Sequence, residues 1–207
     1  RPHKSLAVMF ASMEELARHV VATPGEAAEL ASSAASVVVL PKRAGSTLSG
    51  LLSPDTPDLG VFLPYTPLHH LLLGLVSPLV MTSGNLSEEP IAKDEIELGR
   101  LLGPVADAAL VHDRPIVRRC DDSVLRMVDG QRLFLRRSRG WVPGSVALPV
   151  AGPAVLACGA ELKNTFCITR GDQVFISQHI GDLVEHPAYP FFEEAVADWL
   201  ELLHVTP

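Results

Sequence analysis

The chain has 207 residues, enough for one large domain or one and a half ordinary ones. Apolar residues at 47% supply a core, and a net charge of −7 argues against a broad nucleic-acid surface. Cys120, Cys158 and Cys167 include no Cys-x-x-Cys pair, so neither a zinc nor a disulfide framework is expected, and a reducing cytoplasm fits best.

Arg1-Pro2-His3-Lys4 sets two permanent cations before a strand over residues 6–10. As a bare pattern such cations are more often solvated than bound to phosphate. Ser12-Met13-Glu14-Glu15 and Thr23-Pro24-Gly25-Glu26 have the form of capping boxes and predict helices over 13–21 and 24–32. A buried strand over 37–40 ends at Pro41. Residues 42–58 have no period and read as a long loop, with Lys42 and Arg43 more readily solvated than ligand-bound. A strand over 60–63 precedes a helix that starts near Pro67. It carries His69 and His70, which face different sides and do not share a metal. The apolar stretch 68–81 is interrupted by both histidines, Ser77 and Pro78, so no membrane span or signal segment is expected.

Residues 79–81 form a short apolar strand that stops at Thr82-Ser83-Gly84-Asn85, and a helix follows over 94–102 until Gly103-Pro104. A strand, a hydroxyl-rich turn and a helix can aim N–H groups and side-chain oxygens at one phosphate or carbonyl group. A plain Gly-Asn turn with an N-cap reads the same stretch equally well. A strand over 107–111 leads into His112-Asp113-Arg114-Pro115-Ile116-Val117-Arg118-Arg119-Cys120-Asp121-Asp122-Ser123. Its arginines and aspartates suit phosphate, ribose or hydrated magnesium, or else one another in a salt-bridge network at a sheet edge. Residues 123–128 and 132–135 make a hairpin about Asp129-Gly130, followed by the basic tip Arg136-Arg137-Ser138-Arg139.

Residues 141–153 are rich in Pro, Gly and small side chains, and a domain boundary falls there. A hairpin follows with Gly159, Lys163, Asn164 and Thr165 near its turn, able to wrap phosphate, although most hairpins bind nothing. Arg170-Gly171-Asp172 turns the chain into a further strand over 173–177. Residues 189–205 form an amphipathic helix with Phe192, Val196, Trp199, Leu200 and Leu203 on one face. A start without Met and an end just after this helix suggest a fragment.

Six blocks, in this order, carry a resemblance that covers nearly the whole chain. They are Arg-Pro-His-Lys-Ser-Leu-Ala-Val-Met, Leu-Pro-Tyr-Thr-Pro-Leu-His-His-Leu-Leu, Met-Thr-Ser-Gly-Asn-Leu-Ser-Glu-Glu-Pro-Ile, His-Asp-Arg-Pro-Ile-Val-Arg-Arg-Cys-Asp-Asp-Ser-Val, Arg-Arg-Ser-Arg-Gly-Trp-Val-Pro and Gly-Ala-Glu-Leu-Lys-Asn-Thr-Phe-Cys. Together they resemble the HypF family of carbamoyltransferases, which serve [NiFe]-hydrogenase maturation.

The resemblance implies an α/β fold. Residues 1–148 would be most of a YrdC-like domain with a twisted, open, mixed sheet, and 149–153 a linker. Residues 154–207 would be the first hairpins and helix of a truncated, actin-like ATPase domain of the Kae type. Zinc or other metal would be held only by parts of the full-length protein outside this sequence, and no metal ligands are expected within it.

Carried over residue by residue, Arg1 and Lys4 match the family's basic entry motif, with Ser5 in place of its proline. Ser83 and Asn85 match the Ser-x-Asn motif at the nucleotide phosphates. Ser123 matches a later serine, with Arg118 and Arg137 as basic partners. The implied catalytic group is Lys4, Ser83, Asn85 and Arg118. The implied nucleotide contacts are Arg1, Thr82, Ser83, Asn85, Arg118, Asp121, Ser123, Arg137, Lys163 and Asn164.

The implied reaction uses ATP and Mg²⁺ to convert carbamoyl phosphate through carbamoyl-adenylate and passes the carbamoyl group to the C-terminal cysteine of HypE. An alternative is a threonylcarbamoyl-adenylate synthase for transfer-RNA modification. Another is a double-stranded RNA binding module, which the fold invites and the net charge disfavours.

Overall fold

A computed structural model of the chain describes residues 5–85, 90–184 and 188–207. These fall into two compact units: the described residues up to Thr82 with Asp122–Gly140, and Ser83–Asp121 with Trp141–Pro207.

The first unit is built on strands β1 (Ala7–Met9), β2 (Val37–Pro41), β3 (Asp58–Phe62), β4 (Leu79–Met81), β5 (Val124–Val128) and β6 (Gln131–Arg136). They form one open sheet in the order β4-β1-β3-β2-β5-β6. The β1–β3 and β2–β5 pairs are parallel and the other pairs antiparallel, which is the mixed sheet expected. Successive residues in the central strands are buried, as in Val8-Met9 and Val61-Phe62, so side chains on both faces are covered. Asp129 and Gly130 both take positive φ, 50° and 75°, and close the β5–β6 hairpin as the Asp-Gly pair predicts.

Helices α1 (Met13–Leu16), α2 (Pro24–Leu30) and α3 (Pro67–Leu75) complete this unit. Thr23 and Glu26 make the full reciprocal box at α2. At α1 the Ser12 hydroxyl accepts from Glu15 N–H, but the Glu15 carboxylate reaches back to Ala11 N–H. That helix is shorter than the pattern predicts. Val20 leaves it to bridge Lys42, and its β-branched neighbour Val21 favours the extended chain. In the long loop, Lys42 Nζ donates to Ser53 O at 3.0 Å and Arg43 Nε to Ala17 O at 2.8 Å, so both cations brace the loop.

The second unit contains α4 (Glu95–Leu102), β7 (Ser145–Gly152), β8 (Leu156–Ala157), β9 (Cys167–Ile176) and α5 (Ala188–Leu203). Its sheet runs β7-β9-β8, with both pairings antiparallel. Residues 145–152, which composition alone marks as connector, are therefore strand. Residues 107–111 are not: their apolar side chains Leu110 and Val111 stand exposed, and no ladder receives their backbone. β9 turns back on itself. Ten extended residues would span about 33 Å, yet Ser177 N–H donates to Phe166 O at 2.9 Å across its two ends. Gly171, at φ 61°, makes the reversal expected at Arg170-Gly171-Asp172.

Helix α5 packs Phe191, Ala195, Trp199 and Leu203 against Phe166, Ile168 and Ile180. Phe192, Val196 and Leu200 flank this stripe, so the buried face is turned by about one residue from the predicted one. Trp199 Nε1 donates to Gln178 Oε1 at 2.9 Å, which satisfies the indole inside the core. Among the described residues no helix is long and apolar enough to cross a membrane.

Candidate functional site

Strand β4 delivers the chain to the Ser-Gly-Asn turn. Ser83 Oγ donates to Asn85 Oδ1 at 2.6 Å, and Asn85 N–H donates to Ser83 O at 2.9 Å. The Gly84 carbonyl accepts from Ala92 N–H at 3.0 Å, which anchors the apex of the turn to the segment leading into α4. Thr82 stands exposed beside it, while Ser83 and Asn85 are half-buried. The hydroxyl's partner is an amide oxygen, which is not a base, so the geometry suits orientation of a ligand better than nucleophilic attack by Ser83.

Arg118 and Arg119 lie in the same unit and point to different partners. Arg118, half-exposed, donates from Nε to Asp198 Oδ2 at 2.9 Å. Arg119 is only 12% exposed and forks onto both oxygens of Glu97 at 2.6 and 2.8 Å. Its Nε donates to Ile91 O at 2.8 Å, its Nη1 reaches Glu194 at 3.3 Å, and its guanidinium lies 5.8 Å from the centre of the Phe191 ring. Burial pushes the Glu97 carboxyl upward, but Lys93 N–H and Arg119 outweigh it and hold the group below its usual value. Lys93, Glu97, Arg100, Arg119, Phe191 and Glu194 line a cavity of about 320 Å³. The sequence marks the basic block but not which arginine turns inward, because the partners of Arg119 lie 22 and 75 residues away. Asp121 is half-buried at the end of this segment.

Ser123 belongs to the first unit and is fully buried. Its hydroxyl donates to Arg139 O at 2.9 Å and accepts from Ser138 N–H at 2.8 Å, so it ties the start of β5 to the chain leaving β6. Arg137, half-buried beside it, has its pKa lowered by burial.

A second constellation in this unit was not singled out by the sequence. Arg139 donates twice to Asp122 Oδ1, at 3.0 and 2.8 Å, and also to the carbonyls of Ala34 and Ala35. Its guanidinium stacks 3.7 Å from the centre of the Tyr65 ring, and Tyr65 OH donates to Asp122 at 3.3 Å. Burial, reinforced by Asp122, pushes the Tyr65 hydroxyl pKa up. The edge of His69 meets Tyr65 at 4.5 Å between centroids, and burial pushes its imidazole pKa down.

In the 158–166 hairpin Lys163 takes a positive φ of 49° and its N–H donates to Asp182 Oδ1 at 2.6 Å. Asn164 is buried, with Nδ2 donating to the carbonyls of Cys158 at 2.8 Å and Ala160 at 2.6 Å. Its Oδ1 is buried without a protein partner. The amide thus shapes the turn and leaves one acceptor over. Arg1 and Lys4 lie outside the described residues. Of the remaining expected site residues, Ser83, Asn85, Arg118, Asp121, Lys163 and Asn164 lie in the second unit, and Thr82, Ser123 and Arg137 in the first.

Two families match different parts of the chain. Residues 1–138 match the family of Sua5, YciO and YrdC proteins described as "Telomere recombination", and residues 151–207 match the HypF Kae1-like domain. Carbamoyltransferase HypF of Synechocystis sp. is 44% identical over 209 residues, covering 100% of this chain and 27% of its own length. HypF of Rhizobium leguminosarum bv. viciae is 44% identical, covering 99% of this chain and 28% of its own.

A full-length HypF, crystallised in a phosphate- and nucleotide-bound form, superposes with a TM-score of 0.96 at 40% identity, covering 100% of this chain and 33% of that one. The Sua5 protein of P. abyssi, crystallised with L-threonine, is alike in fold over 67% of this chain and 41% of its own, with a TM-score of 0.55 at 18% identity. The chain thus spans about a quarter to a third of the HypF proteins it matches. Both segments occur together in relatives that are similar from one end of it to the other, and the chain belongs to the HypF carbamoyltransferase family, as a YrdC-like domain followed by the beginning of a HypF Kae1-like domain.

Proposed function

We propose that this chain supplies the adenylating part of a HypF-type carbamoyltransferase acting in [NiFe]-hydrogenase maturation in the cytoplasm. The observation that carries the reading is the 40% identity, over 100% of the chain, to a HypF crystallised with phosphate and nucleotide. Carbamoyl phosphate is hydrolysed to carbamate, a carbamate oxygen attacks the α-phosphorus of ATP, and pyrophosphate leaves. The resulting carbamoyl-adenylate then passes its carbamoyl group to the C-terminal cysteine thiolate of HypE and releases AMP. The domain boundary falls at 149–153, with adenylation assigned to residues 1–148. The segment 154–207 opens the transferring domain, in which the hairpin carrying Lys163 and Asn164 faces phosphate.

Bringing carbamate to a polyphosphate joins two anions, so the step requires neutralisation and alignment more than a protein nucleophile. In this reading Arg1, Lys4, Arg118 and Arg137 neutralise charge, while Ser83 and Asn85 orient the α-phosphate and the carbamate. Thr82 and Asp121 complete the nucleotide's surroundings, and Ser123 braces the start of β5. Mg²⁺, carried on the nucleotide phosphates, would supply further neutralisation, and Asp121 is the carboxylate in the proposed set that suits its hydration shell.

The test is carbamoyl phosphate-dependent ATP–pyrophosphate exchange in the intact protein. Ser83→Ala and Asn85→Ala should each lower exchange by about 100-fold while leaving the far-UV circular dichroism unchanged. Exchange at the parent rate in both variants would remove the turn from the site. Exchange triggered by threonine and bicarbonate, and not by carbamoyl phosphate, would reassign the substrate.

A further inference from the structure

Besides its internal hydrogen bonds, the Ser83–Asn85 turn is held from behind. Ala92 N–H holds the Gly84 carbonyl at 3.0 Å, and the preceding residue, Ile91, gives its carbonyl to Arg119 Nε at 2.8 Å. One residue further on, Lys93 N–H donates to Glu97 Oε2 at 3.0 Å. The same carboxylate receives the Arg119 fork, so residues 91–93 are gripped from both sides by a single part-buried ion pair. A Cβ added at Gly84 would lie 3.6 Å from Leu102 Cδ1, which puts the turn itself against α4. Arg119 is held in turn by Glu194 and Phe191 of α5.

A lysine could not replace this arginine. The grip needs a planar fork on one carboxylate and a separate N–H on a carbonyl, and an ammonium cannot fill both directions. The group acts on the turn through the backbone it holds, at Ile91 O and Lys93 N–H.

We propose that Arg119, with Glu97, is the positioning residue of the adenylating site, setting the height of the Ser83–Gly84–Asn85 turn through Ile91 and Ala92. This rests on the turn being the nucleotide site, and the experiment separates the two ideas. Arg119→Lys and Glu97→Gln are made in the intact protein alongside Ser83→Ala. For each, nucleotide affinity is measured by equilibrium binding of a fluorescent ATP analogue, and exchange kinetics are resolved into KM and kcat.

Both positioning variants should weaken nucleotide affinity and raise KM for ATP by about tenfold, with kcat changed less than threefold. The double variant should be no worse than either single one, because the two residues act as one unit. If Arg119→Lys does not fold, Glu97→Gln, which keeps the shape of the carboxylate, carries the test. Parent affinity and KM in a folded positioning variant, with Ser83→Ala still inactive, would overturn the positioning role alone. Parent exchange in Ser83→Ala would overturn both.

Discussion

At the scale of single residues, the structure separates groups that the sequence presents as equals. His69 and His70 are adjacent, but only His69 meets the Tyr65 ring, and its Nδ1 is buried without a partner. Protonating it would place an N–H donor where the protein offers no acceptor, and burial accordingly holds its pKa below the ordinary 6.5. The consequence for stability has a definite sign. As pH falls through about 6.5, the unfolded chain takes up a proton that the folded chain resists, so stability is lost from there down to the lower folded value. Urea midpoints measured at intervals from pH 7.5 to 5 should decline more steeply in the parent than in His69→Gln. Parallel curves would show that this imidazole is not coupled to folding. Ser123 makes a related point about legibility. The family resemblance implies a nucleotide contact at Ser123, and its full burial between Arg139 O and Ser138 N–H depends on partners 16 and 15 residues away that its neighbours in sequence do not reveal.

At the scale of elements, what could be read locally was read well. The Thr23 box, the Asp129-Gly130 turn and the short strand before Ser83 depend on residues within a few positions of each other. What failed depends on distant partners. A strand over 107–111 needs a neighbour to pair with, and α1 ends early because Val20 is drawn to Lys42. For α5 the periodicity was right and the centre of the face shifted, since the stripe 191-195-199-203 is chosen by the sheet it meets. The hairpin about Asn164 was legible as a turn, but not the means of holding it. Gly159 has φ 74°, and a Cβ there would collide with the Thr165 carbonyl oxygen and crowd Asn164 Nδ2. Gly159→Ala should therefore destabilise the chain by about 3 kcal/mol, read from chemical denaturation. A loss below about 0.5 kcal/mol would mean that the turn relaxes without strain.

At the scale of the whole molecule, the two units rest on different balances of force. The first is organised by a sheet with buried residues on both faces, from Val8 and Met9 to Leu125. The second has a smaller sheet and an apolar cluster on α5, supplemented by ion pairs that join α5 to the 90–121 segment: Lys93–Glu194, Arg119–Glu194 and Arg118–Asp198. The Lys93 and Arg118 pairs are open to solvent, with side-chain exposures of 30% and 48% for the cations, so added salt screens them. The Arg119–Glu97 pair is more enclosed and less affected. Both tryptophans, Trp141 and Trp199, lie in the second unit, so their fluorescence reports on it selectively. Raising sodium chloride from low to molar concentration should lower the fluorescence-detected stability of the 207-residue chain by about 1 kcal/mol in urea. Glu194→Gln weakens two of the pairs at once and should reproduce most of that loss at low salt, leaving a smaller further response to salt. A chain whose fluorescence transition strengthens with salt, in parent and variant alike, would place the stability of this unit in apolar packing, with its charged seam contributing nothing measurable.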